Sequence, residues 1–223
     1  MIRRIFAEAL GTCLLIVAVV GSGIMATNLT DDIALQLLCN AVATGGALVA
    51  LIVIFAPISG ASFNPAVGIV SALLGESSWR ETAWFALAQV FGGCIGAVIA
   101  NVMFDLDAFE ISTKARSGSN IWISEGIATF GLLLVIWGTI RANRRSLVPL
   151  TVAAWITGAY FFTSSTSLAN PAVSIARALS NSFAGIKPQH VPMFIVMQLI
   201  GAGCAFLVIR WLFKEEGSDV ASH

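Results

Sequence analysis

Residues 33–75 run for 43 positions without one charged side chain. A helix crossing the hydrocarbon core of a bilayer needs about 20 apolar residues. The stretch is therefore too long for one crossing and too short for two with a turn between them. Residues 146–176 pose the same problem over 31 positions. Any fold of this chain has to put charge-free backbone at membrane depth outside a simple span. Non-helical backbone is tolerated there only when it is buried in protein or lines a wet cavity.

The remaining apolar stretches are ordinary spans. Residues 5–27, 33–56, 82–104, 121–140, 147–163 and 191–213 read as six crossings, the fifth shorter than the rest. Apolar residues make up 57% of the chain and charged ones 11%, against about 25% charged in a water-soluble domain. Mean hydropathy is +0.89. A soluble enzyme is excluded. Twelve basic and twelve acidic residues cancel, so no global field calls for nucleic acid. Arg3, Arg4 and the small residues near Met25 and Ala26 imitate a signal peptide. Glu8 interrupts that apolar run and five spans follow, so the stretch reads as an uncleaved first helix. Cys13, Cys39, Cys94 and Cys204 lie in apolar runs without metal-like spacing. They read as buried, unpaired thiols.

Each charge-free stretch leads into a near-copy of the other. Residues 64–73 and 170–179 match at seven of ten positions, each opening with Asn-Pro-Ala. Glu8 and Thr12 correspond to Glu125 and Thr129, and Gln89 and Gly92 to Gln198 and Gly201. The chain is a duplication, its first repeat covering about 1–110 and its second about 118–214. Three spans per repeat is an odd number, so the copies are inverted relative to each other. Asn is among the best N-caps and Pro costs nothing in a first helical turn. Each motif therefore starts a short helix that dips in from its own side. Two such ends meeting near the midplane describe a pore.

Six spans put both termini on one side, and basic residues decide which. With the termini inside, Arg3, Arg4, Arg80, Arg141, Arg144, Arg145, Arg210 and Lys214 face the cytoplasm. Lys114, Arg116, Arg177 and Lys187 stay outside. Eight against four favours cytoplasmic termini.

These residues resemble the aquaporin and aquaglyceroporin family, the major intrinsic proteins. The resemblance spans the chain: Ala7-Glu8 with Gly11-Thr12, Ile58-Ser59-Gly60 before Asn64-Pro65-Ala66, Gln89 with Gly92-Gly93, then Glu125 and Asn170-Pro171-Ala172. It implies an all-α membrane protein of six spans and two re-entrant half-helices, residues 1–223 forming one channel domain. It also implies a homotetramer in the bilayer with one pore per subunit and no cofactor. In the family, glutamates at the positions of Glu8 and Glu125 brace loop backbone rather than move protons. The Asn64 and Asn170 amides would donate to passing hydroxyls or water, and the half-helix N-termini would raise the energy of cations.

The family's outer constriction, counted from the two motifs, falls on Thr44, Gly158, Ser167 and Val173. Water-selective members usually have an aromatic residue at the first, histidine at the second and arginine at the fourth. All three are absent, which implies a wider, less polar opening. Gly158 reads either as a filter position or as a helix-packing glycine. Arg177 follows Val173 by one helical turn. It either lines the outer vestibule, partly replacing the missing charge, or snorkels to the interface. Residues 170–180 with Phe183-Ala184-Gly185-Ile186 resemble a bacterial subgroup associated with arsenic resistance. That implies a bacterial plasma membrane and passage of glycerol-like polyols, arsenous or other metalloid acids and organoarsenicals, with water. A water-selective pore is the alternative. A secondary transporter has only Glu8 and Glu125 to couple with. An intramembrane enzyme has no HExxH, GxSxG or Walker motif, and its only histidines are His190 and His223.

Overall fold

A computed structural model describes residues 1–213. Lys214 and His223 lie outside the described residues, so the inner basic count rests there on seven side chains. Among the described residues every regular element is helical. In chain order these are α1 (Ile2–Leu29), α2 (Ile33–Ser59), α3 (Pro65–Leu73), α4 (Trp79–Met103), α5 (Ser119–Arg141), α6 (Val148–Phe162), α7 (Pro171–Ala176) and α8 (Val191–Leu212). A long–long–short–long order thus occurs twice.

Five helices are long and apolar enough to cross a membrane: α1, α2, α4, α5 and the Pro188–Leu212 segment that contains α8. The sixth crossing is α6, which has only 15 residues. That covers about 22 Å at 1.5 Å per residue, short of a core about 30 Å thick. The 3₁₀ turn Arg145–Leu147 lengthens it at one end. Non-helical chain from residue 163 to Asn170 continues it at the other.

The two repeats pack alike. α1 lies against α4 and α2, α5 lies against α8 and α6, and α2 meets α6 between the repeats. Glycines set the closest approaches. A Cβ at Gly92 of α4 would overlap the Ala9 carbonyl of α1, and one at Gly201 of α8 would overlap the Gly126 carbonyl of α5. Ala9 and Gly126 are the residues that follow Glu8 and Glu125. Gly96 repeats the contact one turn on, against the Cys13 carbonyl. Small residues at such crossings let backbones approach where lipid gives helices no hydrophobic reason to associate.

The reading of all four cysteines as buried is corrected. Cys13 is buried and Cys94 half-buried, but Cys39 and Cys204 are exposed. In a bilayer, an apolar run fills lipid-facing positions as readily as core positions, so hydropathy does not report burial. All four thiols are free.

Candidate functional site

α3 and α7 begin back to back. Asn64 caps α3, its Oδ1 accepting the Ala66 N–H at 2.9 Å. Asn170 caps α7, its Oδ1 accepting from Ala172 at 3.0 Å and Val173 at 3.3 Å. Pro65 and Pro171 take the first helical positions, where a missing N–H costs nothing. The amide nitrogens then cross over: Asn64 Nδ2 donates to the Ala169 carbonyl at 2.8 Å and Asn170 Nδ2 to the Phe63 carbonyl at 2.7 Å. Each amide has two N–H groups. The second one on each side remains for the cavity that both asparagines line.

The backbone entering each cap is strained in the same way. Ala61 and Phe63 have φ of 51° and 46°, and Ser167 and Ala169 have 51° and 49°. These positions stand three and one residues before their asparagines. A left-handed conformation costs a non-glycine residue about 1–2 kcal/mol. Two buried carboxylates hold the strained segments. Glu8 accepts from the Ser59 hydroxyl at 2.6 Å, the Ser62 N–H at 3.1 Å and hydroxyl at 2.9 Å, the Phe63 N–H at 2.8 Å and Gln89 Nε2 at 2.8 Å. Glu125 accepts from the Leu168 and Ala169 N–H groups, both at 2.9 Å, and from Gln198 Nε2 at 2.7 Å. Every carboxylate oxygen is occupied by a donor, which is how a buried anion becomes tolerable.

The cavity offers about 110 Å³ to the centres of water molecules. Its polar wall comes from the two entering loops and the asparagines. Its apolar lining comes from α1, α2, α5 and α6, with Leu48 and Ile52 on α2 and Val148, Val152 and Ile156 on α6. Thr44, Ser167, Val173 and Arg177 also line it. Ser167 Oγ is buried and has no hydrogen-bond partner among the described residues.

Gly158 is not brought to the cavity. A Cβ there would touch only the Phe162 ring of its own helix, at 3.5 Å, so Gly158 is not a close packing contact either. The α6 residues that line the cavity are Val148, Val152, Ile156 and Tyr160, and sequence reasoning missed Tyr160. The Tyr160 hydroxyl hydrogen-bonds the Thr44 hydroxyl at 3.1 Å. The signal was available: residues 148, 152, 156 and 160 recur every fourth position and share one helix face.

Arg177 does not snorkel. It is 1% exposed, lines the cavity, and donates from Nε to the Ala184 carbonyl. Arg116, also buried, ties together the loops around Ser165 and Gly185, donating from Nε to the Gly185 carbonyl at 2.8 Å and from Nη1 to the Ser165 carbonyl at 2.9 Å. The Lys114 ammonium donates to the Phe183 carbonyl at 2.5 Å and lies 4.3 Å from that ring's centre. Burial, reinforced by Arg116 and Arg177, pushes Lys114 down to about 8. Among the described residues no group of three or more His, Cys, Asp or Glu is placed to hold a metal.

Two half-helices are thus capped back to back along one lumen. The family model for major intrinsic proteins matches residues 1–167. The chain belongs to that family. Aquaglyceroporin AqpS of Rhizobium meliloti (strain 1021) is 51% identical over 212 residues, covering 95% of this chain and 91% of its own. Aquaporin NIP1-1 of Oryza sativa subsp. japonica is 30% identical over 220 residues, covering 96% and 76%. The X-ray structure of the aquaglyceroporin from Plasmodium falciparum superposes with a TM-score of 0.72, covering 93% of this chain and 94% of that one. At 20% identity that likeness speaks for the fold alone. As a major intrinsic protein the chain is an integral membrane protein of a family of channels, not enzymes, that pass water and small solutes passively.

Proposed function

We propose that this channel carries small neutral polyhydroxyl solutes along with water: glycerol-like polyols, undissociated metalloid acids such as arsenous acid, and organoarsenicals. The observation that carries the reading is Val173. It lies on the lumen three residues after Asn170, where an arginine would bind water tightly and narrow the passage. Thr44 and Ser167 add small hydroxyls that can replace a solute's hydration, while α2 and α6 offer carbon to its C–H groups. The name of the relative from Rhizobium meliloti, an aquaglyceroporin, supports the class. Stopped-flow light scattering on proteoliposomes, comparing glycerol and arsenous acid with water, tests it.

Asn64, Pro65, Ala66, Asn170, Pro171 and Ala172 form the midpoint of the path in this reading. Glu8 and Glu125 serve as braces, since their oxygens are occupied by backbone and glutamine donors rather than open to the lumen. Cation exclusion falls to the capped half-helix ends and to Arg177. The unit is the whole chain, assembled as a homotetramer with a pore in each subunit. It resides in a bacterial plasma membrane with cytoplasmic termini. Two of the four outer basic residues, Arg116 and Arg177, are buried by protein, which leaves the exposed basic charge still more one-sided. One observation favours a water-selective pore instead: the Thr44–Tyr160 hydrogen bond joins two walls at the outer end of the lumen.

A further inference from the structure

We infer that Tyr160 is the specificity-determining aromatic of the outer constriction and that Thr44 holds its ring in position. This deepens the neutral-solute reading and rests on it. Counting back from Asn170 leads to Gly158, but the chain between Phe162 and Asn170 is not helical and has positive φ at Thr166, Ser167 and Ala169. A count across such a segment carries no helical phase. Two residues along a helix turn through about 200°, so the counted glycine and the lumen-facing tyrosine point nearly opposite ways. Tyr160 is the chain's single tyrosine, is 2% exposed, and lines the cavity with Ser167, Val173 and Arg177.

The chemistry at this point suits a compact polyol. Ser167 presents a buried hydroxyl with no partner among the described residues, and Arg177 spends its Nε on the Ala184 carbonyl. Tyr160 adds a flat apolar face. Its hydroxyl is engaged by Thr44 on α2, so the ring is not free to swing about its bond to the helix. A tethered ring sets a fixed width. A free ring would admit a spread of sizes.

The test is a size series in proteoliposomes, with water, glycerol, erythritol and xylitol, measured for purified assembled channel. Tyr160→Ala is expected to raise erythritol and xylitol flux relative to glycerol by about tenfold. Tyr160→Phe keeps the ring and removes one hydrogen bond, so a smaller increase of about fivefold is expected. Thr44→Val should reproduce the Phe variant, and the two together should add nothing, because they break one contact. Gly158→Leu should leave the size cut-off unchanged. If Tyr160→Ala assembles poorly, Tyr160→Leu carries the same comparison. An unchanged cut-off in the Ala or Leu variant, or a narrowed one in Gly158→Leu, overturns the inference. A wild-type channel that passes water alone would contradict the solute reading separately. In that case a Tyr160→Ala variant newly open to glycerol would still support Tyr160 as the determinant.

Discussion

The Asn64 side-chain amide donates to the Ala169 carbonyl at 2.8 Å, across 105 positions of sequence. Asn170 returns the contact to Phe63. Each asparagine therefore caps its own half-helix through oxygen and ties down the other repeat's loop through nitrogen. Replacing Asn170 by Asp removes the donor to Phe63 and sets an anion beside that carbonyl. We expect proton or Na⁺ leak in proteoliposomes to rise about tenfold or more, because an unscreened charge in a narrow site dominates local energetics. No added cation flux would mean that the half-helix ends are not the main barrier.

Arg177 is then the next barrier to examine. It lines the lumen one turn beyond Val173, and no carboxylate forms an ion pair with it among the described residues. Arg177→Ala is expected to raise cation leak on the order of tenfold, equivalent to about 1.4 kcal/mol. Val173→Arg should lower the flux of glycerol-sized solutes while leaving water flux less affected. Both are read in the same flux assay with ion-sensitive dyes and light scattering.

Much of this site was legible because its chemistry is local. An Asn followed by Pro specifies a helix start whatever surrounds it, and the inverted repeat follows from counting spans. Tyr160 was not legible by counting, because helical phase is lost through the strained segment before Asn170. Arg177 could be read either way: a long cationic side chain near an interface snorkels unless a carbonyl such as that of Ala184 captures it inside. Cys39 and Cys204 show a third gap, since lipid and protein core accept the same side chains. The first helix extends to Ile2, beyond the apolar run that begins at residue 5, because Arg3 and Arg4 continue the helix outside the hydrocarbon.

Glu125→Gln should chiefly cost stability. The new amide would set an NH₂ against the Leu168 or Ala169 N–H, leaving a buried donor unpaired at about 2–3 kcal/mol. Thermal unfolding in detergent is expected to shift down, with the solute ranking of the surviving channel preserved. A reordered ranking at unchanged stability would point to a direct role in permeation.

Gly92→Leu and Gly201→Leu should behave alike, because each would drive a side chain into the carbonyl of the residue after a brace. A cost of about 3 kcal/mol is expected, read as loss of assembled protein on size-exclusion chromatography. Different outcomes for the two would mean that the repeats do not share the crossing.

Lys114 makes stability depend on pH in the alkaline range. A free lysine titrates near 10.5, and this one is held near 8. Below 8 both states bind the proton and the folded state bears the full penalty. Between 8 and 10.5 the unfolded chain binds more protons, so stability rises with pH there. Lys114→Gln should flatten that rise, as measured by thermal unfolding at about pH 7 and about pH 9.5.

The central claim is that a lumen carrying Val173 in place of an arginine conducts small neutral solutes. Proteoliposomes holding the purified channel are mixed with iso-osmolar gradients of glycerol and of arsenous acid, and swelling is followed by stopped-flow light scattering beside a water-shrinkage control. Solute-driven swelling well above that of protein-free liposomes is the expected result. Fast water shrinkage with solute swelling no faster than in protein-free liposomes would contradict the account.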